Sequence, residues 1–525
     1  MGREKSDDRV VPEGRRKAVP TAAGGAQGGK AVTASQQLEM QLLRTEPAEF
    51  PQGAMRHPTT GLPVVVRERA PLSEPQHARD QWPEQKKMVM ESVVEEENLR
   101  KAWQRVFANR GAAGPDRQSV DVVNEHVDTL IPELTRHLLS GTYQPGMVRR
   151  VWISKAGGGQ RGLGIPNVID RWVQQAVNEV LAPHFERSFH PSSHGFRRER
   201  SCQSAIREAQ QYVVAGYDWV VDIDLEKFFD TVNHQRLMEL LRREIADTRL
   251  LQLVQRMLRA RTVMPDGVVV STEEGTPQGG PLSPLLSNIV LTELDEELSK
   301  RGLRFVRYAD DCNIYVRSQR AGERVMSGIS KFIEQRLRLK VNLQKSAVAR
   351  PRDRHFVGYR LVDQGEGKVE IVIALSARSR QRLRAKLVEL TPRNAGRPLK
   401  DIIRGINDYM VGWMGFFGIC EHWTRHILRD ADSHLRRRLR AIQLRLWKRR
   451  RTVVRKLMRL GARQFPSHQV MAKRRKWWAM SKLPVVSQTL GVKFFQALGL
   501  KSLLALWKES KHRQLTLGGD MMTSR

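Results

Sequence analysis

Residues 303–317 constrain this chain most, because two adjacent carboxylates lie there between two runs of strand-forming residues. Valine, isoleucine and aromatic residues flank Asp310-Asp311, which predicts a tight hairpin with both carboxylates at its tip. Adjacent carboxylates repel each other unless a cation lies between them, and hard oxygen ligands suit Mg²⁺. The tip is therefore a candidate metal site. A solvated turn is the alternative, since the dipeptide also occurs at Asp7-Asp8.

A second stretch decides between these alternatives. Residues 219–223 have the composition of a buried strand, and Asp224 follows where the strand gives way to a turn and a helix over residues 236–243. The strands that end in Asp224 and Asp310-Asp311 can lie side by side in one sheet. Two metal ions about 3.5–4 Å apart could then activate an attacking hydroxyl and stabilise a leaving oxygen. Such a pair of ions suits nucleotidyl transfer.

Length and charge limit the function classes. The chain has 525 residues, enough for two to four domains, and a formal net charge of +34, which indicates a polyanionic partner such as nucleic acid. Its three cysteines are far apart in sequence, so a disulfide framework and a Cys-x-x-Cys zinc pair are both excluded, and a reducing cytosol fits. No apolar run is long enough to predict a membrane span or a signal peptide.

Two further segments carry candidate binding residues. Basic and apolar residues alternate over residues 149–155, and a glycine-rich turn follows, which predicts a hairpin that projects Lys155 and Arg161 towards one anionic group. A basic solvated hairpin is the alternative. Over residues 276–288, Gly279 and Gly280 permit close backbone approach, and two prolines suit the start of a helix over residues 285–298.

The C-terminal part is basic and helical. Leu435, Leu439, Ile442 and Leu446 follow helical spacing, and arginines fill the positions between them. From residue 433 to residue 508 there are 21 lysines and arginines and no acidic residue. With tryptophans interleaved, this pattern predicts phosphate contacts and base stacking. The candidate RNA- and DNA-binding residues here are Arg436, Arg437, Arg440, Lys448, Arg449, Arg450, Arg451, Lys473, Arg474, Arg475 and Lys476.

These motifs resemble those of a known family. Tyr308-Ala309-Asp310-Asp311, with the run from Asp224 to Phe229 upstream, resembles the palm of a reverse transcriptase. Residues 404–417, which include Gly412-Trp413, resemble the intron-binding maturase domain. The motifs match along roughly residues 95–510, in the order of group II intron-encoded reverse transcriptases and maturases. Among these, the chain is most similar to the bacterial IIC type that lacks an endonuclease domain.

The resemblance implies an α+β right-hand polymerase. Fingers and palm, built of an antiparallel sheet plus helices, would be followed by helical thumb/maturase and basic C-terminal domains. The expected boundaries are a disordered leader at 1–85, fingers and palm at 86–365, a thumb/maturase domain at 366–460 and a basic DNA-binding region at 461–525. The leader is rich in glycine, alanine, proline and glutamine, without a sustained hydrophobic period.

The resemblance also assigns roles. Asp224, Asp310 and Asp311 would be catalytic and hold two Mg²⁺ ions. Phe229 would pack under the sugar of the nucleotide, although an ordinary core phenylalanine is the alternative. The implied nucleotide-binding residues are Arg149, Lys155, Arg161, Phe229, Gln278, Gly279 and Lys345, and Gly412 and Trp413 would bind RNA.

The implied function is RNA-directed DNA polymerisation from a primer 3′-hydroxyl, together with maturase activity in splicing and retrohoming. The implied partners are group II intron RNA, target DNA, a primed RNA template and dNTPs, in a bacterial cytoplasmic, nucleoid-associated ribonucleoprotein with no membrane. Two rivals are another bacterial reverse transcriptase, such as a retron or defence enzyme, and an RNA-binding splicing factor with a relic palm. The Gly412-Trp413 block argues against the first and the complete carboxylate set against the second.

Overall fold

The computed structural model describes residues 87–154, 159–276, 278–363, 370–394, 396–421, 424–463 and 476–519. The predicted leader at 1–85 lies outside the described residues, as do Lys155, Lys473, Arg474 and Arg475. None of the described helices is long and apolar enough to cross a bilayer.

Four helices open the described chain: α1 Met90–Val94, α2 Glu96–Ala108, α3 Val120–Asn124 and α4 Val127–Leu139. In α2, Leu99, Ala102, Trp103 and Val106 recur at helical spacing and are buried, so one face of the helix packs inward. That face lies on α5 (Val168–Phe185), where the ring centroids of Trp103 and Trp172 are 5.0 Å apart. The indole nitrogen of Trp172 donates to the carbonyl of Leu99 at 2.7 Å.

The fingers sheet begins with the strand that follows α4 in the chain. It consists of β1 Val148–Ser154, β2 Gln160–Ile165, β4 Thr262–Val263 and β5 Val269–Val270, in the order β2-β1-β4-β5. Strands β1 and β2 pair antiparallel, from Arg149 opposite Ile165 to Ser154 opposite Gln160. The predicted basic hairpin is therefore confirmed.

The palm sheet has the order β6-β7-β3-β8. Its strands are β3 Trp219–Ile223, β6 Arg304–Tyr308, β7 Asp311–Val316 and β8 Ala347–Ala349. Val220, Val306 and Tyr315 face α6 (Cys202–Val214), whereas Val221 and Ile314 belong to the main core. Because side chains alternate along each strand, the sheet buries both faces, and the polar residues gather where β3 and β6 end.

Helices connect and cover these strands: α7 Phe228–Thr231, α8 His234–Glu244, α9 Thr248–Leu258, α10 Ser283–Lys300 and α11 Gln319–Gln335. Pro284 lies at the start of α10, as the sequence predicted. A two-stranded sheet of β9 (Tyr359–Asp363) and β10 (Ile371–Leu375) follows the palm.

The C-terminal part is helical. Its elements are α12 Ala377–Leu390, α13 Leu399–Phe417, α14 Thr424–Leu446, α15 Arg450–Arg459, α16 Trp477–Met480, α17 Pro484–Thr489, α18 Val492–Ala497 and α19 Leu503–Gly519. One hydrophobic cluster runs from Leu383 to Trp507 and includes residues on both sides of position 461. Asp432 of α14 accepts hydrogen bonds from the backbone of Leu503 and Leu504, which caps α19. The proposed regions 366–460 and 461–525 therefore share one core.

Candidate active site

The palm hairpin presents its two aspartates at different positions. Tyr308 and Asp311 are paired across the hairpin, so Ala309 and Asp310 form the two-residue turn and Asp311 begins β7. Ala309 has a φ of +57°, a left-handed conformation that alanine rarely adopts. The predicted hairpin is confirmed, with Asp310 in its turn and Asp311 on the following strand.

The partner strand brings Asp224 to the same place. Strand β3 pairs antiparallel with β7, and Ile223 lies opposite Cys312, so Asp224 leaves the sheet beside Asp311. The backbone of Asp224 is held on its other side, where its N–H donates to the Ser346 hydroxyl at 3.0 Å and its carbonyl accepts from Asn342 at 2.8 Å. The Lys345 ammonium lies 3.4 Å from a carboxylate oxygen of Asp224. Three carboxylates and one lysine thus meet at the end of two strands.

A fully buried ion pair supports the hairpin. Arg307 and Asp295 are both 0% exposed, and the guanidinium donates to both carboxylate oxygens, at 2.7 and 2.6 Å. The same guanidinium donates to the carbonyl of Ala309 at 2.9 Å and to the side-chain oxygen of Asn288 at 3.0 Å. Asp295 and Asn288 belong to α10, so this network ties the helix to the left-handed residue before Asp310. The arrangement holds the turn in a conformation it would otherwise rarely adopt.

A close backbone contact completes this support. A Cβ built on Gly195 would lie 2.2 Å from the backbone nitrogen of Ala309, so only glycine fits there. The side-chain amide of Asn288 donates to the carbonyl of Gly195 at 2.8 Å. The segment before it bonds to β6, since the N–H of His194 donates to the carbonyl of Arg307 at 2.8 Å.

The cluster of carboxylates is electrostatically strained. Desolvation by the surrounding protein, with the charges of Asp310, Asp222 and Asp224, raises the pKa of Asp311 to about 7, although its side chain reaches solvent. Burial also raises the pKa of Asp310, and the positive charge of Arg161 offsets part of that rise. The cluster therefore holds more negative charge than the neighbouring cations neutralise.

A fourth carboxylate, Asp222, lies two residues before Asp224. Burial raises its pKa, and the guanidinium of Arg354 counters this by donating to it. Arg354 also donates to the backbone carbonyl of Lys345 at 2.7 Å. The ion pair therefore connects β3 to the segment that carries Lys345, and it leaves Asp222 with a protein cation of its own.

In the part of the chain that the structure describes, no group of three or more His, Cys, Asp or Glu side chains forms a ready metal site. The chemistry of the donors nevertheless fits a hard divalent cation. Asp224, Asp310 and Asp311 offer carboxylate oxygens, and desolvation together with the neighbouring carboxylate charges raises the pKa of Asp311, so a cation there would be favoured. Because Lys345 lies beside Asp224, an ammonium already provides part of the positive charge that such a cation would supply.

The fingers place basic residues near this cluster. Arg161, on β2, is close enough for its charge to lower the pKa values of Asp310 and Asp311. Arg149 is partly buried and donates to the carbonyl of Ala113 at 2.6 Å, so part of its guanidinium holds the protein together. Arg150, which the sequence analysis did not single out, lies 3.4 Å from Asp230 on α7. Among the described residues of the predicted fingers hairpin, Arg161 therefore has a charge that acts on the aspartates.

The glycine-rich block lies against the fingers hairpin. The N–H of Gly164 donates to the carbonyl of Gln278 at 2.8 Å. Gly279 has a φ of +134°, and a Cβ there would lie 2.6 Å from the carbonyl oxygen of Gly164, so both conformation and space require glycine. The predicted close backbone approach is thus confirmed as a contact with β2.

Phe229 is half-buried on α7. It packs against the main core and makes an edge contact with Phe196, with ring centroids 6.5 Å apart, while Phe196 is 52% exposed. The N–H of Thr276 donates to the carbonyl of Phe229 at 2.7 Å, which fixes its backbone. The ring is therefore partly in the core and partly exposed.

The maturase-like residues differ in environment. Gly412 is exposed on α13, and a Cβ there would meet no atom within 4 Å. Trp413 is half-buried and packs against Phe417, with ring centroids 4.6 Å apart, and contacts two hydrophobic clusters. A change at Trp413 would therefore disturb packing as well as any surface that it presents.

The predicted basic residues also divide into two groups. Lys448, Arg449, Arg451 and Lys476 are exposed, while Arg436 and Arg450 are half-buried. Arg437 lies with its guanidinium carbon 3.8 Å from the centroid of Trp478, a cation–π contact. Arg440 donates to the carbonyl of Ser481 at 3.0 Å, and burial lowers its pKa. Arg440 therefore joins α14 to the α16 region, a structural contact that the charge pattern did not reveal.

Two sequence profiles match the chain. "Reverse transcriptase (RNA-dependent DNA polymerase)" matches residues 153–361, which contain the palm sheet and the three aspartates. "Group II intron, maturase-specific domain" matches residues 380–461, from α12 to the end of α15.

The chain is also similar to individual proteins. Protein YkfC of Escherichia coli (strain K12) is 31% identical over 345 residues, which cover 58% of this chain and 90% of YkfC. Group II intron-encoded protein LtrA of Lactococcus lactis subsp. cremoris is 35% identical over 207 residues, or 39% of this chain and 34% of LtrA. A solved structure titled "Partial Cas6-RT-Cas1--Cas2 complex" aligns with TM-score 0.31 at 25% identity, over 47% of this chain and 42% of that one. The chain thus spans most of YkfC but about a third of LtrA.

Proposed function

This chain belongs to the family of group II intron reverse transcriptases and maturases, and we propose that it copies intron RNA into DNA and assists splicing of that RNA. The observation that carries the polymerase proposal is the pairing of β3 with β7, which brings Asp224 to the Asp310-Asp311 hairpin. This pairing supports the proposal because in-line nucleotidyl transfer requires several carboxylates at one place.

Each residue of the site has a part in the proposed reaction. Asp224, Asp310 and Asp311 would hold divalent metal ions, which we propose are two Mg²⁺. When bound, such ions activate an attacking hydroxyl and stabilise a leaving oxygen. The primer 3′-hydroxyl loses its proton to solvent and attacks the α-phosphorus of a dNTP. A phosphodiester bond forms as the bond between the α-phosphorus and its bridging oxygen breaks, and pyrophosphate leaves. Lys345 keeps the carboxylate of Asp224 oriented from the other side.

The fingers and the glycine-rich block hold the nucleotide. The charge of Arg161 acts on Asp310 and Asp311, so its guanidinium can bind the triphosphate in a bidentate manner, and Arg149 and Lys155 contribute further positive charge. The backbone at Gln278 and Gly279 lies against β2 and forms one wall. The ring of Phe229 packs against the sugar, which excludes a 2′-hydroxyl.

The basic helical part binds intron RNA and target DNA. The exposed positive residues of this part, such as Lys448 and Arg449, neutralise backbone phosphates, and Trp478 with Arg437 offers a stacking platform. Gly412 gives the RNA close access to the backbone of α13. In the cell, the protein acts in a nucleoid-associated ribonucleoprotein in the bacterial cytoplasm.

One assay tests the polymerase proposal. The purified chain is given an RNA template with an annealed DNA primer, four dNTPs and Mg²⁺, and full-length extension is expected. The same preparation should bind its intron RNA and raise the splicing rate of that RNA at low Mg²⁺. Splicing assistance without primer extension would indicate an RNA-binding factor with an inactive palm. Extension without any effect on splicing would indicate a reverse transcriptase of another kind.

A further inference from the structure

A cavity of about 590 Å³ lies on the fingers, outside the carboxylate site. Helix α9 ends at Leu258, and the chain then runs through residues 259–261 into β4. This segment forms one wall, and the loop after α4 forms the other, at residues 144–145. No motif of the sequence analysis falls on these residues.

The walls of the cavity are held in place. The guanidinium of Arg256 donates to the carbonyls of Gly141 and Tyr143, at 2.7 and 2.9 Å. The hydroxyl of Tyr143 in turn donates to Asp170 on α5 at 2.6 Å. On the opposite wall, the N–H of Val148 donates to the carbonyl of Arg261 at 2.8 Å. The cavity therefore exists before any ligand arrives, which lowers the cost of binding.

The lining of the cavity is made mainly of arginine and glutamine side chains. Eight described residues line the cavity and none is acidic; six of them are Gln144, Gln252, Gln255, Arg256, Arg259 and Arg261. Arg259 and Arg261 are exposed, and no described side chain pairs with either guanidinium, whereas Arg256 is used within the protein. Two free guanidinium groups thus lie beside three side-chain amides.

These groups select a ligand class. Guanidinium groups bind phosphate oxygens, and side-chain amides donate to and accept from base edges and ribose hydroxyls. The described lining combines guanidinium cations with no carboxylate, which favours an anionic ligand, and the volume is in the range of small-ligand pockets. Because Gln144, Gln252 and both arginines are exposed, the cavity is open to a strand that runs past it.

We propose that this cavity is a second RNA-binding site, which takes one or two nucleotides of a single-stranded RNA segment. Arg259 and Arg261 bind consecutive phosphates, and Gln252 and Gln144 bind the 2′-hydroxyl and base edge between them. The inference rests on the proposed function, in which RNA is the macromolecule held outside the active site.

The test uses the full chain and two matched variants. Arg259→Gln/Arg261→Gln removes two charges after the end of α9, and Arg242→Gln/Arg243→Gln removes two exposed charges at the end of α8. Binding of a single-stranded oligoribonucleotide is measured against salt. The cavity variant should bind roughly tenfold more weakly, with a log–log salt slope smaller by about 1.4, at about 0.7 for each phosphate. Equal losses in the two variants would overturn the proposal.

Further arms separate the possible ligands. Gln144→Ala/Gln252→Ala should weaken RNA more than the matching DNA oligonucleotide, since the amides bind the 2′-hydroxyl; equal weakening would overturn the assignment to RNA. Adenosine monophosphate and inorganic phosphate serve as competitors. Suppose that either compound binds the wild-type chain but not the cavity variant, while the two proteins bind RNA with equal affinity. The cavity would then be a site for small anions and not for RNA.

Primer extension on a short pre-annealed template should be the same in all these variants, because the cavity lies apart from the aspartates. If the wild-type chain binds no RNA, the proposed function fails. If the wild-type chain binds RNA, but the cavity variant binds it no more weakly than the control variant does, the proposed function stands and this inference alone fails.

Discussion

The palm and the helical C-terminal part each gather charge of a single sign, negative in the palm and positive in the C-terminal part. In the palm, Asp222, Asp224, Asp310 and Asp311 gather at the ends of two strands, and desolvation together with the charges of the other three raises the pKa of Asp311 to about 7. Residues 433–508 instead carry 21 lysines and arginines and no acidic residue. In each region, the residues of opposite charge are too few to neutralise this charge. The first is therefore suited to cations and the second to phosphates.

The two regions also bury arginine differently. Arg307 of the palm is fully buried against a carboxylate, Asp295. Arg438 of α14 is also buried, but it donates to the carbonyls of Val388 and Thr391, at 3.2 and 2.6 Å, where α12 ends. Partial negative charge at a helix C-terminus can satisfy a guanidinium without a carboxylate. A basic region that lacks acidic residues can thus still bury an arginine.

The strongest test of the contrast removes the palm carboxylates. In Asp310→Ala/Asp311→Ala, cDNA synthesis should fall by at least about a thousandfold, roughly 4 kcal/mol of transition-state stabilisation, because metal-assisted displacement has no substitute in the site. Intron RNA affinity and assisted splicing should stay close to wild type. Asp353→Ala, an exposed aspartate, is the control. If assisted splicing fell together with cDNA synthesis while RNA binding was unchanged, polymerisation and splicing would not depend on separate regions.

The next test compares the buried arginines. Arg307→Met leaves the Asp295 carboxylate buried without its partner, and we expect a loss of about 3–5 kcal/mol in the free energy of unfolding. Arg438→Met leaves only neutral carbonyl oxygens without their donor, and we expect a smaller loss of about 1–3 kcal/mol in the free energy of unfolding. Urea denaturation measures both. Arg307→Met/Asp295→Leu should regain much of the stability; a double variant no more stable than Arg307→Met would mean that the carboxylate is not the cause.

A third test asks whether an uncharged ring selects the sugar. Phe229→Val should raise ribonucleotide incorporation about tenfold relative to deoxyribonucleotide incorporation, since a smaller side chain makes room for the 2′-hydroxyl. Phe228→Leu is the control, because Phe228 is buried in the core and its change should lower stability alone. Unchanged sugar discrimination in Phe229→Val, with normal dNTP use, would assign Phe229 to the core.

The smallest effect concerns pH. The pKa of Asp311 in the folded chain is raised from 3.8 to about 7, so its contribution to stability is complete at pH values below 3.8 and is lost as pH rises through about 7. Since the side chain reaches solvent, which screens the charges, we expect a loss of only about 1 kcal/mol. Thermal unfolding in a chelator, from acid to neutral pH, should show a shallower decline for Asp311→Asn than for wild type. Identical profiles would show that Asp311 is not strained.

Local patterns were enough to predict the parts of the catalytic site. The strand at 219–223 has the predicted bounds, and the predicted helix at 285–298 lies within α10. The hairpin at Asp310-Asp311 and the basic hairpin before Arg161 also formed where alternation and turn residues placed them. These elements depend on neighbours in sequence, and the spacing of apolar side chains specifies them.

Contacts between distant residues were decided by packing alone. Asp222 and Arg354 are 132 positions apart, and neither has a local signal that marks it as half of an ion pair. The same holds for Arg307, whose partner Asp295 lies on α10. It also holds for Arg440, whose local sequence is the same kind of basic run as that of its exposed neighbours, but whose guanidinium donates to Ser481 after α16.

The sequence thus specified which residues form strands, helices and the acidic turn, because propensity and hydrophobic spacing act over a few residues. Which charges are buried, paired or left to bind a ligand was settled only when the folded chain brought distant segments together. The desolvation and Coulomb energies that govern a charge depend on its surroundings in space, which local sequence does not contain.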